Sequence, residues 1–440
     1  MTWTVERATL RRGIRPAVIL VVLAAAVLGV GGLLGSSHGG SEQAVETRSK
    51  PATNTLDTAI GKAQVRLRTL PGDYVTWAQL GSAYLEKARI TADPSWYPKS
   101  EGALRKSLSV RPAGNTGALI GLGALANSRH DFATARKLAL QAIALDAYSA
   151  DAYGVLTDAE TQLGDVAAAT AAAQHMLDLR PELPALTRGA YDLEQHGQYP
   201  SAVGLMKQAL TAATDPADIA FCRYSLGELA WSTGDLAEAS RQYAAGLLAY
   251  PDYVPLRQGA AKVAAARGQL STALTAYADL TSRSPSPTYL VEYAELLRSA
   301  GKTRQATDQL ALADAADKLF AANGGTDDLS AFALALDRGQ PALALAAAQR
   351  EWKRRHFADV ADAMAQALHA NGRDAEALGY ARQAMTVGVK NARYLAHAGI
   401  IEAALGQKPA ARRDLTAALK LNPHFSPIDA PIAQRTLAAL

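Results

Sequence analysis

Two patterns of apolar and polar positions divide the chain. Residues 17–34, AVILVVLAAAVLGVGGLL, carry no charge. At 1.5 Å per residue this run spans roughly 27 Å as a helix, close to the thickness of a bilayer's hydrocarbon core. Polar, unpatterned residues follow in 36–54, SSHGGSEQAVETRSKPATN, and read as a flexible linker. Beyond them, small and apolar residues come at helical spacing, punctuated by Gly164, Gly197, Gly234, Gly268, Gly301, Gly339, Gly372 and Gly406. Each of these glycines is followed five positions later by alanine, from Ala169 to Ala411. A glycine that enters the left-handed region ends one helix, and an alanine lets the next pack closely against it. The unit is a helical hairpin of 33 to 38 residues, and since one hairpin cannot bury its own apolar face, the units must stack into a continuous solenoid.

At one register the units begin near Tyr74, Thr116, Ala150, Leu183, Ala220, Val254, Pro287, Gly325, Ala358 and Ala392. The first carries Trp77, Leu80, Gly81, Tyr84 and Pro112; the fifth carries Leu226, Gly227, Gly234, Asp235, Ala239, Tyr243 and Pro251. These marks, recurring in phase, resemble the tetratricopeptide repeat family over roughly residues 56–423. The expected fold is all-α: a right-handed solenoid of about ten hairpins, preceded by one transmembrane helix. The expected organisation is a basic tail at 1–15, an anchor at 16–35, a linker at 36–54, the array at 55–423 and a capping segment at 424–440. Residues 56–73 read as an unpaired second helix, and 424–440 as a broken turn plus a short helix covering the last apolar face. In repeat 1 the insert ITADPSWYPKSE holds two prolines and interrupts the helices. The glycine-punctuated LFAANGGTDD leaves the start of repeat 8 least defined, with a kink expected there.

Charge orients the anchor. Arg7, Arg11, Arg12 and Arg15 precede the apolar run against a single Glu6, which places the amino end in the cytoplasm and the repeats outside. Secretion after signal cleavage is the alternative, though the apolar run is longer than a usual signal core. The abundance of alanine and arginine suits a high-GC bacterium and its plasma membrane.

Candidate chemistry changes the picture little. Cys222 is the only cysteine and reads as buried; the eight histidines form no H-E-x-x-H or similar cluster, so neither metal nor cofactor is expected. No phosphate loop or nucleophile elbow occurs. Outside anchor and repeats too few residues remain for a catalytic domain, so no enzyme activity is expected. The net charge of +4 with pI near 9.0 is mild, and no nucleic acid is expected as partner.

The family resemblance implies that first helices line a concave groove. Read residue by residue, it places there Asp158, Tyr191, Glu194, Tyr224, Glu228, Trp231, Lys262, Glu295 and Arg298, with Asp151 beside them. Over ten repeats these positions hold nine acids (adding Glu86, Asp337, Asp359 and Asp362) against Lys262, Arg298 and Arg393. The lysine and asparagine clamp for a terminal carboxylate is not matched, since Asp158, Glu228 and Glu295 stand in its place. The expected function is a membrane-anchored docking scaffold for a basic, apolar segment of a protein, with Tyr191, Tyr224 and Trp231 as exposed aromatic anchors. A spacer subunit in an envelope export or polysaccharide-assembly complex is the alternative.

Overall fold

The computed structural model describes residues 52–388 and 391–440. The expected tail and anchor lie outside the described residues. Among the described residues no helix is long and apolar enough to cross a membrane.

A leading helix, Ala52–Thr69, is followed by ten hairpins. Their first helices are Tyr74–Thr91, Thr116–Ser128, Ala150–Leu163, Leu183–Gln195, Pro216–Ser232, Val254–Ala266, Pro287–Ser299, Asp328–Asp337, Ala358–Ala370 and Ala392–Ala404. The second helices are Tyr97–Val110, Phe132–Leu145, Val166–Leu179, Tyr199–Ala212, Leu236–Ala249, Leu270–Arg283, Thr303–Ala322, Pro341–Arg354, Asp374–Gln383 and Lys408–Leu421. A final helix, Asp429–Ala439, covers the end. Two boundaries differ from expectation. Repeat 5 starts a turn earlier, at Pro216, because Asp215 caps it; repeat 8 starts at Asp328, capped by Asp327.

The hairpin turns follow the sequence logic. All eight punctuating glycines have φ between 66° and 85°. Their eight alanine partners are buried at the helix crossing. In repeat 2 the same turn is made by His130, a non-glycine residue at φ 61°, and its partner Ala135 is fully buried. Asp131, Asp165 and Asp235 then cap the second helices by accepting from backbone N–H groups three residues on.

The array winds past one full turn and touches itself. Thr326 N–H donates to Arg129 O at 3.0 Å, and His356 N–H to Leu163 O at 3.1 Å. Arg129 Nε donates to Asn323 O at 3.0 Å, the Arg355 guanidinium to Gln162, and Asn422 Nδ2 to Trp231 O at 2.8 Å. The seam partners are separated by 191 to 197 residues. One set of contacts thus repeats along the seam: hairpin turns of repeats 2, 3 and 5 meet the loops after repeats 7, 8 and 10. The segment before repeat 8, expected as a kink, is the first of these docking loops.

Candidate partner-binding site

The first-helix positions face the interior of this closed turn, and that interior is narrow. Tyr224 is 3% exposed, Trp231 9%, Glu228 3% and Glu194 6%. The expectation of exposed aromatic anchors in an open groove is therefore corrected. The positions are internal, as the repeat pattern requires, but packing against neighbouring repeats and, at Trp231, the return of the last repeat remove them from solvent. Trp231 belongs to the core, and Asn422 from the last repeat bonds its backbone carbonyl.

Inside, the charges pair with one another. Lys262 Nζ donates to both Glu228 oxygens at 2.9 and 2.8 Å and lies 4.8 Å from the centre of the Trp231 ring. Tyr243 donates its hydroxyl to the same carboxylate. Arg298 bonds the carboxylate and, at 3.0 Å, the carbonyl of Asp337. Asp151 is bonded by Arg180. Asp158 is gripped by Arg188, whose Nε and Nη2 donate at 2.9 and 2.7 Å. Arg188 is 3% exposed and was not among the expected residues. Its stretch, ALTRGA, reads as core, and the sequence signal for it is the need of inward-facing Asp158 for a partner.

Burial sets the protonation pattern. It pushes Asp158 above the usual carboxylate range against the pull of Arg188. Glu194 rises well above that range through burial and the neighbouring Glu228. Glu295 also rises through burial, and Asp359 goes up to about 7 for the same reason. A buried carboxyl without a strong cationic partner takes a proton rather than bear an unsolvated charge.

Three of the expected residues also bound open space. A cavity of about 590 Å³ is lined by Asp158, Tyr191 and Tyr224 together with Tyr97, Phe132, Tyr250, Tyr253, Tyr289 and Phe320. Repeat 1 contributes Leu85 and Arg89, and repeat 7 contributes Leu312 and Asp317. Glu194, Glu228, Trp231, Lys262, Glu295 and Arg298 do not line it; they occupy the charged interior beside it. The insert of repeat 1 divides accordingly: Trp96 stacks on Tyr84 at 5.7 Å, while Tyr97 faces the cavity. A partly open, mainly apolar space of this volume, with aromatic rings and a few polar groups in its wall, has the size and lining of a ligand site. Among the described residues no cluster of three His, Cys, Asp or Glu could hold a metal ion.

No family model matches the chain, and no curated protein is significantly similar to it. Solved structures are. The Cut9–Hcn1 hetero-tetramer of the APC/C shares 13% identity over 88% of this chain and 90% of its own, with a TM-score of 0.39. A thermophilic tetratricopeptide protein of Thermus thermophilus shares 22% over 43% of this chain and 98% of its own, with a TM-score of 0.38. Human IFIT1 in complex with PPP-AAAA shares 13% over 84% and 87%, with a TM-score of 0.47. At such values the fold rests on the chain's own geometry: in-phase hairpins, left-handed glycine turns and buried alanine crossings. On that geometry the protein is an all-α solenoid of helical hairpins with the tetratricopeptide-type fold.

Proposed function

We propose that this solenoid is a protein-interaction scaffold that encloses a partner segment in the aromatic cavity ringed by repeats 1 to 7. The supporting observation is that cavity. Six tyrosines and two phenylalanines line it, and rigid amphipathic rings of this kind bind apolar chain at little entropic cost. The acids Asp158, Asp252, Asp317 and Asp327 outnumber Arg89 and Arg188 on its wall, which favours a basic, apolar guest. No reaction is proposed. The uncharged run at 17–34 and the arginines before it support a tether to the plasma membrane with the array on the extracytoplasmic side.

Filling the cavity tests the reading without cutting into the core. Ala316 lines the space from a half-exposed position, so Ala316→Trp is expected to leave the melting temperature near wild type. Proteins crosslinked to the wild type in native membranes and absent from the filled variant are the partners. Recovery of the same set by both variants would contradict the proposal. Protease added to intact spheroplasts should digest the array; full protection would contradict the assigned side.

A further inference from the structure

The cavity opens to solvent: Leu312 and Leu319, both in its wall, are each 51% exposed. A guest can lie along it from the side. The wall is built from helices and the loops that join them, and no strand occurs among the described residues. It therefore has no sheet edge on which an extended guest could pair its N–H groups.

What the wall offers is tyrosine. Tyr250, Tyr253 and Tyr289 come from the junctions YPDYVP (250–255) and SPSPTY (284–289), Tyr97 from the insert of repeat 1, and Tyr191 and Tyr224 from first helices. Among the described residues none of these six hydroxyls is hydrogen-bonded to the protein. In the charged interior, by contrast, Tyr243, Tyr277 and Tyr394 each donate to a carboxylate. A hydroxyl left free is a donor for a carbonyl of the guest. A proline-rich segment in the polyproline II conformation presents carbonyls and, at its prolines, no N–H groups, and its rings lie against aromatic faces. An apolar helix would use the rings but spend its carbonyls on its own backbone.

Charge adds a second requirement. The second helix of repeat 7 has 20 residues where those of repeats 6 and 8 have 14 each. The extra length carries Asp317, Leu319 and Phe320 into the wall. Burial, with Asp327, Asp314 and Asp328 nearby, pushes the Asp317 carboxyl up to about 6. A cation supplied by the guest would offset that crowding of acids.

We infer that the segment held by the cavity is proline-rich, lies in the polyproline II conformation against the tyrosine rings, and carries a lysine or arginine placed to reach Asp317. This rests on the partner-segment reading and adds the chemistry of the guest.

The test uses the full-length protein and short fluorescent peptides capped at both ends, in four forms: proline-rich with one lysine, the same with alanine for proline, the same with glutamate for lysine, and an amphipathic helical peptide of equal charge. The first is expected to bind at least about tenfold more tightly than each of the others in anisotropy titrations. Tyr250→Phe combined with Tyr289→Phe keeps both rings and should weaken that binding about tenfold at an unchanged melting temperature. Asp317→Asn should remove the preference for lysine over glutamate, and Ala316→Trp should abolish binding. Equal or tighter binding of the alanine or helical peptide would overturn the inference, as would undiminished binding by the double phenylalanine variant; both leave the scaffold reading standing. Binding of none of the four also overturns it, while crosslinking in native membranes, which assumes nothing about the guest, decides the scaffold reading separately.

Discussion

The same face of the first helices has two different fates in this molecule. Along repeats 1 to 7 some of its positions border a cavity lined in part by aromatic rings; others are packed away, with acids and bases paired and buried. Asp158 and Glu228 occupy equivalent positions in repeats 3 and 5, yet Asp158 meets the cavity and Glu228 is sealed between Lys262 and Tyr243. Position within the repeat does not determine the difference; the residues that pack against each carboxylate do. At Trp231 the cover comes from much further along the chain, from Asn422, 191 residues away.

The largest effect is expected from breaking the pair that bounds both regions. Removal of Arg188 leaves Asp158 buried without its partner, and losing one member of a buried pair costs about 3–5 kcal/mol. Arg188→Met should lower stability by that amount in denaturant titration. Arg298, 28% exposed in its pair with Asp337, should cost much less when replaced by Met, about 1 kcal/mol. Equal losses for the two would show that burial does not set the strength of these pairs.

Next in size is the contrast between turns inside and outside the seam. Gly234 and Gly301 both have positive φ, 77° and 73°. A Cβ on Gly234 would stand 2.9 Å from Leu421 O and 3.3 Å from Asn422 Cα, while one on Gly301 meets open space. Alanine at either costs about 1–2 kcal/mol for the left-handed backbone. Gly234→Ala should cost about 1–3 kcal/mol more, through crowding against the last repeat. Thermal melts of the two variants measure this difference, and matching values would show that the seam is not formed.

A third contrast is in pH. Burial raises Asp359 to about 7, so the folded state holds a proton there that the unfolded chain gives up near pH 4. Burial opposes the charge on His397, but the carboxylates of Asp362 and Asp429 outweigh it and raise the group to about 9. Both contributions have the same sign. The stabilisation is present below each unfolded pKa and is lost as pH rises through the folded value, so this part of the array should weaken progressively between about pH 4 and pH 9. Chemical denaturation across that range should show falling stability in the wild type. A flatter profile is expected in His397→Gln; an unchanged slope would contradict the assignment.

Most of the fold was legible in sequence because its determinants are local. Glycine turns, alanine crossings and capping aspartates act within a few residues, and eight of the ten units begin where the register places them. The site was legible only as a set of inward positions. The spacing that puts Trp231 on the inner face says nothing about the last repeat returning over it, since no local pattern encodes a contact across 191 residues. One residue did carry a trace of the closure. His130 holds a turn that eight other repeats give to glycine, and a non-glycine residue at φ 61° persists where its surroundings hold it. Here those surroundings are Phe132, Phe320 and Thr326.

The closed turn is the central claim, and amide exchange at two loop positions tests it most directly. Thr326 and His356 lie outside helices, yet their N–H groups bond to Arg129 O and Leu163 O on the preceding turn. Native-state hydrogen exchange read by NMR or by overlapping peptides should show both amides protected at least about a hundredfold relative to free loop, with protection lost together when the seam opens. Exchange of Thr326 and His356 at the rate of unprotected loop amides, in an array whose helices remain protected, would show an open superhelix and contradict the account.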